Sequence, residues 1–226
     1  MYFMTAVENL KRLRNEIPEH VKIVAISKTH TEQEILEVYN AGHRCFGENR
    51  SQELINKQPL LPNDLEWHFV GHLQTNKVKY IAPYISVIQS IDSLKLLVEV
   101  NKQAQKHNRT IDCLLQFFIA REETKYGLDL QEAHVLLNSD AYKNMKNIKI
   151  RGVMGMATFT DNTDRVRNEF RELKQIFDSL KNDFFPHNAD FSEISMGMSG
   201  DYKIAIEEGS TIVRIGTAIF GERNVC

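Results

Sequence analysis

The sequence predicts an α/β fold, a single (β/α)8 barrel with an additional N-terminal helix. Three observations carry that expectation. Strand-like apolar runs and helix-like segments alternate eight times along 226 residues, with no linker rich in Pro, Gly or Ser dividing them. The first run, Val21-Lys22-Ile23-Val24-Ala25-Ile26-Ser27-Lys28, is apolar rather than alternating, as a strand buried on both faces of a parallel sheet is. No GxGxxG follows it, where an open doubly wound dinucleotide fold would place one. Barrels of this class usually take about 250 residues, so one barrel spans the whole chain, 1–226, as a single domain.

The elements follow in order. A first helix runs roughly from Thr5 to Asn15 and is ended by Pro18. Strands are expected near 21–28, 43–48, 66–71, 86–91, 110–118, 148–156, 191–196 and 211–216, and helices near 32–41, 50–57, 75–81, 94–107, 130–138, 165–181 and 202–208. Thr31 with Glu34, and Asp129 with Glu132, have the spacing of capping boxes. Gly42 and Gly209 stand where helices stop, as C-cap glycines do.

Composition narrows the function classes. With 42% hydrophobic and 26% charged residues the chain reads as a soluble globular protein with a sizeable core. A net charge of −2 without a basic cluster gives no support for nucleic-acid binding. Cys45, Cys113 and Cys226 lie far apart with no metal-type spacing, which suggests reduced thiols and a cytoplasmic protein. The start of the chain lacks the features of a signal peptide, and no apolar run reaches membrane-spanning length.

In a barrel, chemistry sits at the carboxyl ends of the strands, and the unusual residues fall there. Lys28 ends the first strand. Alone it reads as a lysine reaching solvent, but a desolvated amine at that position has a lowered pKa and can attack an aldehyde to form a Schiff base. Asn49 follows strand two. His68 and His72 read as a hydrogen-bonded core histidine and a helix cap rather than as direct catalysts. Their spacing on a strand-to-loop segment does not bring both rings to one metal ion. Ser195 to Ser199 (Ser-Met-Gly-Met-Ser) ends strand seven, and Gly216-Thr217 ends strand eight. Loops after these two strands are the habitual phosphate site of such barrels, where backbone N–H groups and a helix start bind a dianion. Arg214 shares a strand face with Ile212 and Gly216, and a guanidinium buried there needs an acceptor. That acceptor is either a structural carboxylate or a ligand atom. Lysine, phosphate cup and arginine together describe a pyridoxal 5′-phosphate (PLP) site.

The same stretches resemble those of the pyridoxal-phosphate homeostasis proteins, single-domain relatives of the barrel half of alanine racemases. The resemblance runs from about Val21 to Arg223. It is carried by Ala25-Ile-Ser-Lys-Thr29, by Phe46-Gly-Glu-Asn49 with Gln52-Glu53, and by Trp67-His-Phe-Val-Gly-His-Leu-Gln-Thr-Asn-Lys77. Ser195-Met-Gly-Met-Ser199 with Asp201, and Gly209 through Gly221, complete it. It implies a TIM barrel with PLP on Lys28, Asn49 beside the cofactor, Ser195, Ser199, Gly216 and Thr217 on the phosphate, and Arg214 at the ring nitrogen. The chain departs from the family pattern at Arg50, where tyrosine is usual, and at Phe118, where asparagine is usual. The Phe118 departure puts a polar contact from strand five in doubt. Met154-Gly-Met-Ala157, after strand six, is also looser than usual.

Bound PLP does not make an enzyme. A racemase needs acid–base groups on both faces of the substrate α-carbon. In the racemase relatives one of these is a tyrosine from an additional domain, for which this barrel leaves no chain. An arginine at the ring nitrogen does not protonate it. The expectation is therefore a monomeric, cytoplasmic PLP carrier that buffers the cofactor or delivers it to PLP-dependent apoenzymes. It binds neither nucleic acid, membrane nor metal. A low-efficiency amino-acid racemase and an aldol-type Schiff-base enzyme are the alternatives.

Overall fold

The computed structural model describes residues 4–120 and 127–222. Eight strands close into a parallel barrel in sequence order, β1 pairing with both β2 and β8. They are β1 (Lys22–Ile26), β2 (Cys45–Glu48), β3 (Glu66–Phe69), β4 (Val87–Ile91), β5 (Ile111–Phe117), β6 (Ile148–Gly155), β7 (Glu193–Met198) and β8 (Ile212–Ile215). Around them lie α1 (Ala6–Glu16), α2 (Glu32–Asn40), α3 (Ser51–Lys57), α4 (Thr75–Ile81) and α5 (Leu94–Lys106). The ring continues with α6 (Leu130–Asn138), α7 (Asp140–Lys143), α8 (Thr163–Phe184), α9 (Tyr202–Glu207) and α10 (Thr217–Phe220).

The predicted alternation holds throughout, with α1 as the additional helix. Both expected capping boxes form, and Thr5 with Glu8 makes a third at α1. Each cap satisfies backbone N–H groups that the first helical turn leaves without partners, worth about 1 kcal/mol. Gly42 and Gly209 take the left-handed conformation, φ +85° and +97°, that ends α2 and α9. Three expectations shift. β7 continues to Met198, α8 is longer at both ends than 165–181, and two short helices, α7 and α10, escape the sequence reading. Both are single turns, too short for a 3.6-residue period to register.

Strand parity divides the core in two. Ile23 and Ala25 of β1 pack outward into the large cluster beneath the helices. Val24 and Ile26 face the lumen with Cys45, Leu114, Met154 and Ile212. This apolar lumen layer shares the barrel interior with buried polar side chains, His68, Gln89, Ser195 and Arg214 among them. Cys45 and Cys113 are free and buried, and burial pushes both thiols upward, away from the reactive thiolate. Cys226 lies outside the described residues. No described helix is long and apolar enough to cross a membrane.

Candidate functional site

A cavity of about 740 Å³ opens at the carboxyl ends of the strands. Lys28, Asn49, Ser199, Arg214, Gly216 and Thr217 all line it. Six of the seven residues singled out from sequence therefore meet at one place.

Lys28 lies two residues beyond β1, in a turn rather than on the strand itself. Its neighbours are held on both sides. The Ser27 N–H donates to the Gly47 carbonyl at 3.0 Å, extending the ladder one residue past the strand end. The Ser27 hydroxyl donates to Glu48 Oε1 at 2.8 Å. Lys57, from α3, donates to the Ser27 carbonyl and to Glu48 Oε1, both at 2.8 Å. On the other side Thr29 has φ +67°, a conformation a β-branched residue rarely adopts. Its N–H is taken by Glu53 Oε2 at 2.8 Å. Burial raises the Glu48 carboxyl above its ordinary range, with Lys57 and Ser27 opposing. The Phe-Gly-Glu-Asn and Gln-Glu stretches thus serve the lysine: Glu48, Glu53 and Lys57 fix the turn that presents it.

The cup forms where β7 and β8 end. The Gly216 and Ala218 N–H groups converge on the Ser199 hydroxyl oxygen at 3.3 and 3.2 Å. Gly200, Asp201 and Thr217 complete this side of the cavity wall. Amides aimed at a single oxygen on the first turn of α10 suit a phosphate oxygen equally well. Burial raises the Asp201 carboxyl, while the Met198 N–H, donating to its Oδ1 at 2.5 Å, opposes the rise.

Ser195 does not join the cup. It is fully buried, absent from the cavity wall, and committed on both sides: its hydroxyl donates to Gln89 Oε1 at 2.6 Å and accepts from Arg214 Nη1 at 2.7 Å. Arg214 itself does face the cavity, with Nη2 donating to the Gly155 carbonyl at 2.9 Å. Both acceptors are neutral, so the structural carboxylate partner weighed from sequence is not what holds this guanidinium. Burial pushes Arg214 down to about 10, with Asp201 opposing, which leaves it cationic at neutral pH. A buried cation whose hydrogen bonds go to neutral acceptors, with a carboxylate acting only from a distance, gains from a further acceptor supplied by a ligand.

Asn49 Oδ1 is buried without a hydrogen-bond partner on the same wall. Gly71 closes against it: a Cβ there would run into the Asn49 carbonyl oxygen, so only glycine lets the end of β3 approach this closely. The donor set (a primary amine, amide and hydroxyl donors in a cup, and a buried guanidinium) fits a phosphorylated aromatic aldehyde.

Comparison with known proteins agrees. The chain matches the family described as alanine racemase, N-terminal domain, over residues 5–224. It is 39% identical to the pyridoxal phosphate homeostasis protein of Aquifex aeolicus, the alignment covering 97% of this chain and 99% of that one. The chain belongs to the pyridoxal phosphate homeostasis protein family. Among solved structures, PipY of Synechococcus elongatus has been determined with PLP bound. It superposes with a TM-score of 0.86 at 33% identity, covering 96% of this chain and all of that one. An alanine racemase from Clostridium difficile shares the fold, with a TM-score of 0.74 at 14% identity over 97% of this chain and 56% of that one.

Against the family pattern, the Phe118 departure does not remove polarity from this end of β5, because Gln116, within the strand and two residues before Phe118, lines the cavity. Arg50 precedes α3, well exposed, near Glu53. His68 is the buried, hydrogen-bonded core histidine expected. His72 lines the cavity beside Asp92 instead of capping α4, whose N-cap is Gln74.

Sequence reading missed His30, which stacks on Phe220 at 4.5 Å, and residues 158–161, beyond the stretch 154–157 it named after β6. The signal for that segment was Phe159, an aromatic amid polar residues, which is 98% exposed. Among the described residues, Cys45, Glu66 and His68 bring ligand atoms within 4.8 Å of one another. The Lys22 ammonium already pairs with Glu66 at 2.9 Å, so the cluster reads as hydrogen-bonded polar core.

Proposed function

We propose that this protein binds PLP as a Schiff base on Lys28 and serves in intracellular PLP homeostasis, buffering or delivering the cofactor without efficient catalysis. The observation that carries the reading is the convergence on one cavity of Lys28, the amide and hydroxyl cup, and the buried Arg214. When bound, PLP supplies an aldehyde that condenses with a primary amine and releases water. Lys28 is that amine, held in place by the Glu48–Lys57–Glu53 network. Ser199, Gly216 and Thr217 take the phosphate, and Arg214 faces the ring nitrogen. Asn49 lies beside the ring, its unpartnered Oδ1 available to a donor. Ser195 acts through Arg214 instead of on the phosphate.

Arg214 keeps its own proton at neutral pH, so the ring nitrogen remains an unprotonated acceptor and a weak electron sink. Racemisation would also need a second acid–base group opposite Lys28. The described cavity wall offers no tyrosine of the kind the racemase relatives use. The names of the relatives, homeostasis proteins and not enzymes, support the same conclusion. In this reading the protein is a cytoplasmic monomer that exchanges PLP with PLP-dependent apoenzymes.

The test compares PLP with pyridoxal by titration. PLP should bind far more tightly, since each charge-assisted bond in the cup is worth about 1.5–3 kcal/mol. Equal affinity for the two would refute the cup. Proton exchange at the α-carbon of L-alanine in deuterated water should be slow or undetectable. Turnover at about 1–1000 per second would replace the carrier by a racemase.

A further inference from the structure

Behind Arg214, a chain of buried hydrogen bonds extends well beyond the residues placed around PLP. It starts at Arg214 and runs across the lumen through β7, β4 and β3. Arg214 Nη1 donates to Ser195 Oγ at 2.7 Å, and Ser195 donates to Gln89 Oε1 at 2.6 Å. Gln89 Nε2 then lies 2.7 Å from His68 Nδ1, and His68 Nε2 lies 3.0 Å from Glu66 Oε1. Glu66 Oε1 also receives the Lys22 ammonium at 2.9 Å. Ser195, Gln89 and His68 are completely buried.

The direction of this chain is forced from one end. A guanidinium has no acceptor, so Ser195 must accept from Arg214 and spend its own proton on Gln89. The Gln89 oxygen is then fixed toward Ser195, and its NH₂ must face His68. His68 Nδ1 can therefore only accept, which leaves its proton on Nε2, pointing at Glu66. From Arg214 to Glu66 every donor points away from the arginine, and Glu66 closes the run by also accepting from Lys22. The charged groups facing His68 are Glu66, Lys22 and, farther off, Glu193. Burial lowers the His68 pKa and Glu66 is pulled down to about 2, chiefly by its bond to His68, both in the direction the donor order requires.

We propose that Ser195, Gln89 and His68 are positioning residues for Arg214, a one-way relay that holds the guanidinium in a single orientation at the cavity and couples it to the tautomer of His68 across the lumen. The consequence at the ring nitrogen rests on the PLP reading; the relay itself does not. Two features separate it from ordinary core packing. The order of donors is set by an arginine that faces the ligand cavity. Disturbing Gln89, which does not line that cavity, should be felt there.

The experiment uses protein labelled with ¹⁵N in the histidine rings, with and without PLP, and the variants Gln89→Met and Ser195→Ala. His68 should be neutral with its proton on Nε2 at pH 7, and its ring signals should move when PLP is added. That movement should disappear in Ser195→Ala. In Gln89→Met, borohydride should still attach PLP to Lys28, while the pH profile of the bound-cofactor absorbance moves by at least half a pH unit, about threefold in proton affinity. A His68 proton on Nδ1, or a charged His68 ring, would overturn the relay without any variant. So would a Gln89→Met protein that binds PLP with an unchanged profile. If the wild type takes up no PLP, the functional reading fails, and the His68 tautomer alone still decides the relay.

Discussion

At the scale of single residues, the site is built by removing freedom from one lysine. Lys28 follows a strand end and precedes a threonine held at positive φ, a conformation costing on the order of 1–3 kcal/mol. The Glu48–Lys57 pair and Glu53 offset that cost. Lys57 is 6% exposed and Glu48 fully buried, so removing one partner leaves the other's charge or polar group stranded. Lys57→Met should destabilise the protein by about 3–5 kcal/mol, measured by urea unfolding. The double change Glu48→Gln with Lys57→Met should recover most of that loss. Lys28 was legible in the sequence because a lysine closing an apolar run is odd. The misplacement of Ser195 has a physical cause. β7 shifts register between Ser195 and Met198, with Gly197 at φ +93° inside the shift. Two serines four residues apart that parity would put on one face are thereby sent to different places, Ser199 to the cavity and Ser195 beneath it.

At the scale of elements, α1 and the start of β2 meet around His43. The imidazole Nε2–H donates to the Cys45 carbonyl at 2.8 Å, and Nδ1 accepts from Arg14 Nη2 of α1 at 3.2 Å. A second proton would have to enter facing a guanidinium. Burial, with Arg14 adding, pushes the His43 pKa down to about 4. The folded value lies below the unfolded one, near 6.5, so the native state binds fewer protons between them. This stability is present above about pH 6.5 and is lost as pH falls toward 4, on the order of 3 kcal/mol in all. Unfolding free energies measured from pH 8 to 4 should show that decline. His43→Gln, which cannot titrate, should flatten it. Helix starts with capping boxes were readable, whereas the single-turn α10, which with its N-cap Gly216 presents the Gly216 and Ala218 amides, was not. Its signal is two backbone N–H groups on one hydroxyl, which only three dimensions supply.

At the scale of the molecule, the sequence order of apolar runs was enough to foresee a closed barrel, because a parallel sheet buried on both faces writes itself as uninterrupted hydrophobicity. The polar chain through the lumen was hidden, since His68, Gln89 and Ser195 lie on three strands far apart in sequence. Ligand binding should report on the whole barrel. At about 100 times its dissociation constant, PLP should add about 2.7 kcal/mol of stability, or roughly 5–10 °C in Tm for a chain of this size. Pyridoxal at the same concentration should add much less.

Everything in the functional account depends on which amine meets the cofactor. Sodium borohydride added to the PLP-loaded protein converts the imine to a stable amine, and digestion with mass spectrometry locates it. The label should fall on the peptide containing Lys28 and be lost from that position in Lys28→Ala, along with the absorbance of the bound cofactor. A label on Lys77 or another lysine, with Lys28 unmodified, would contradict the site.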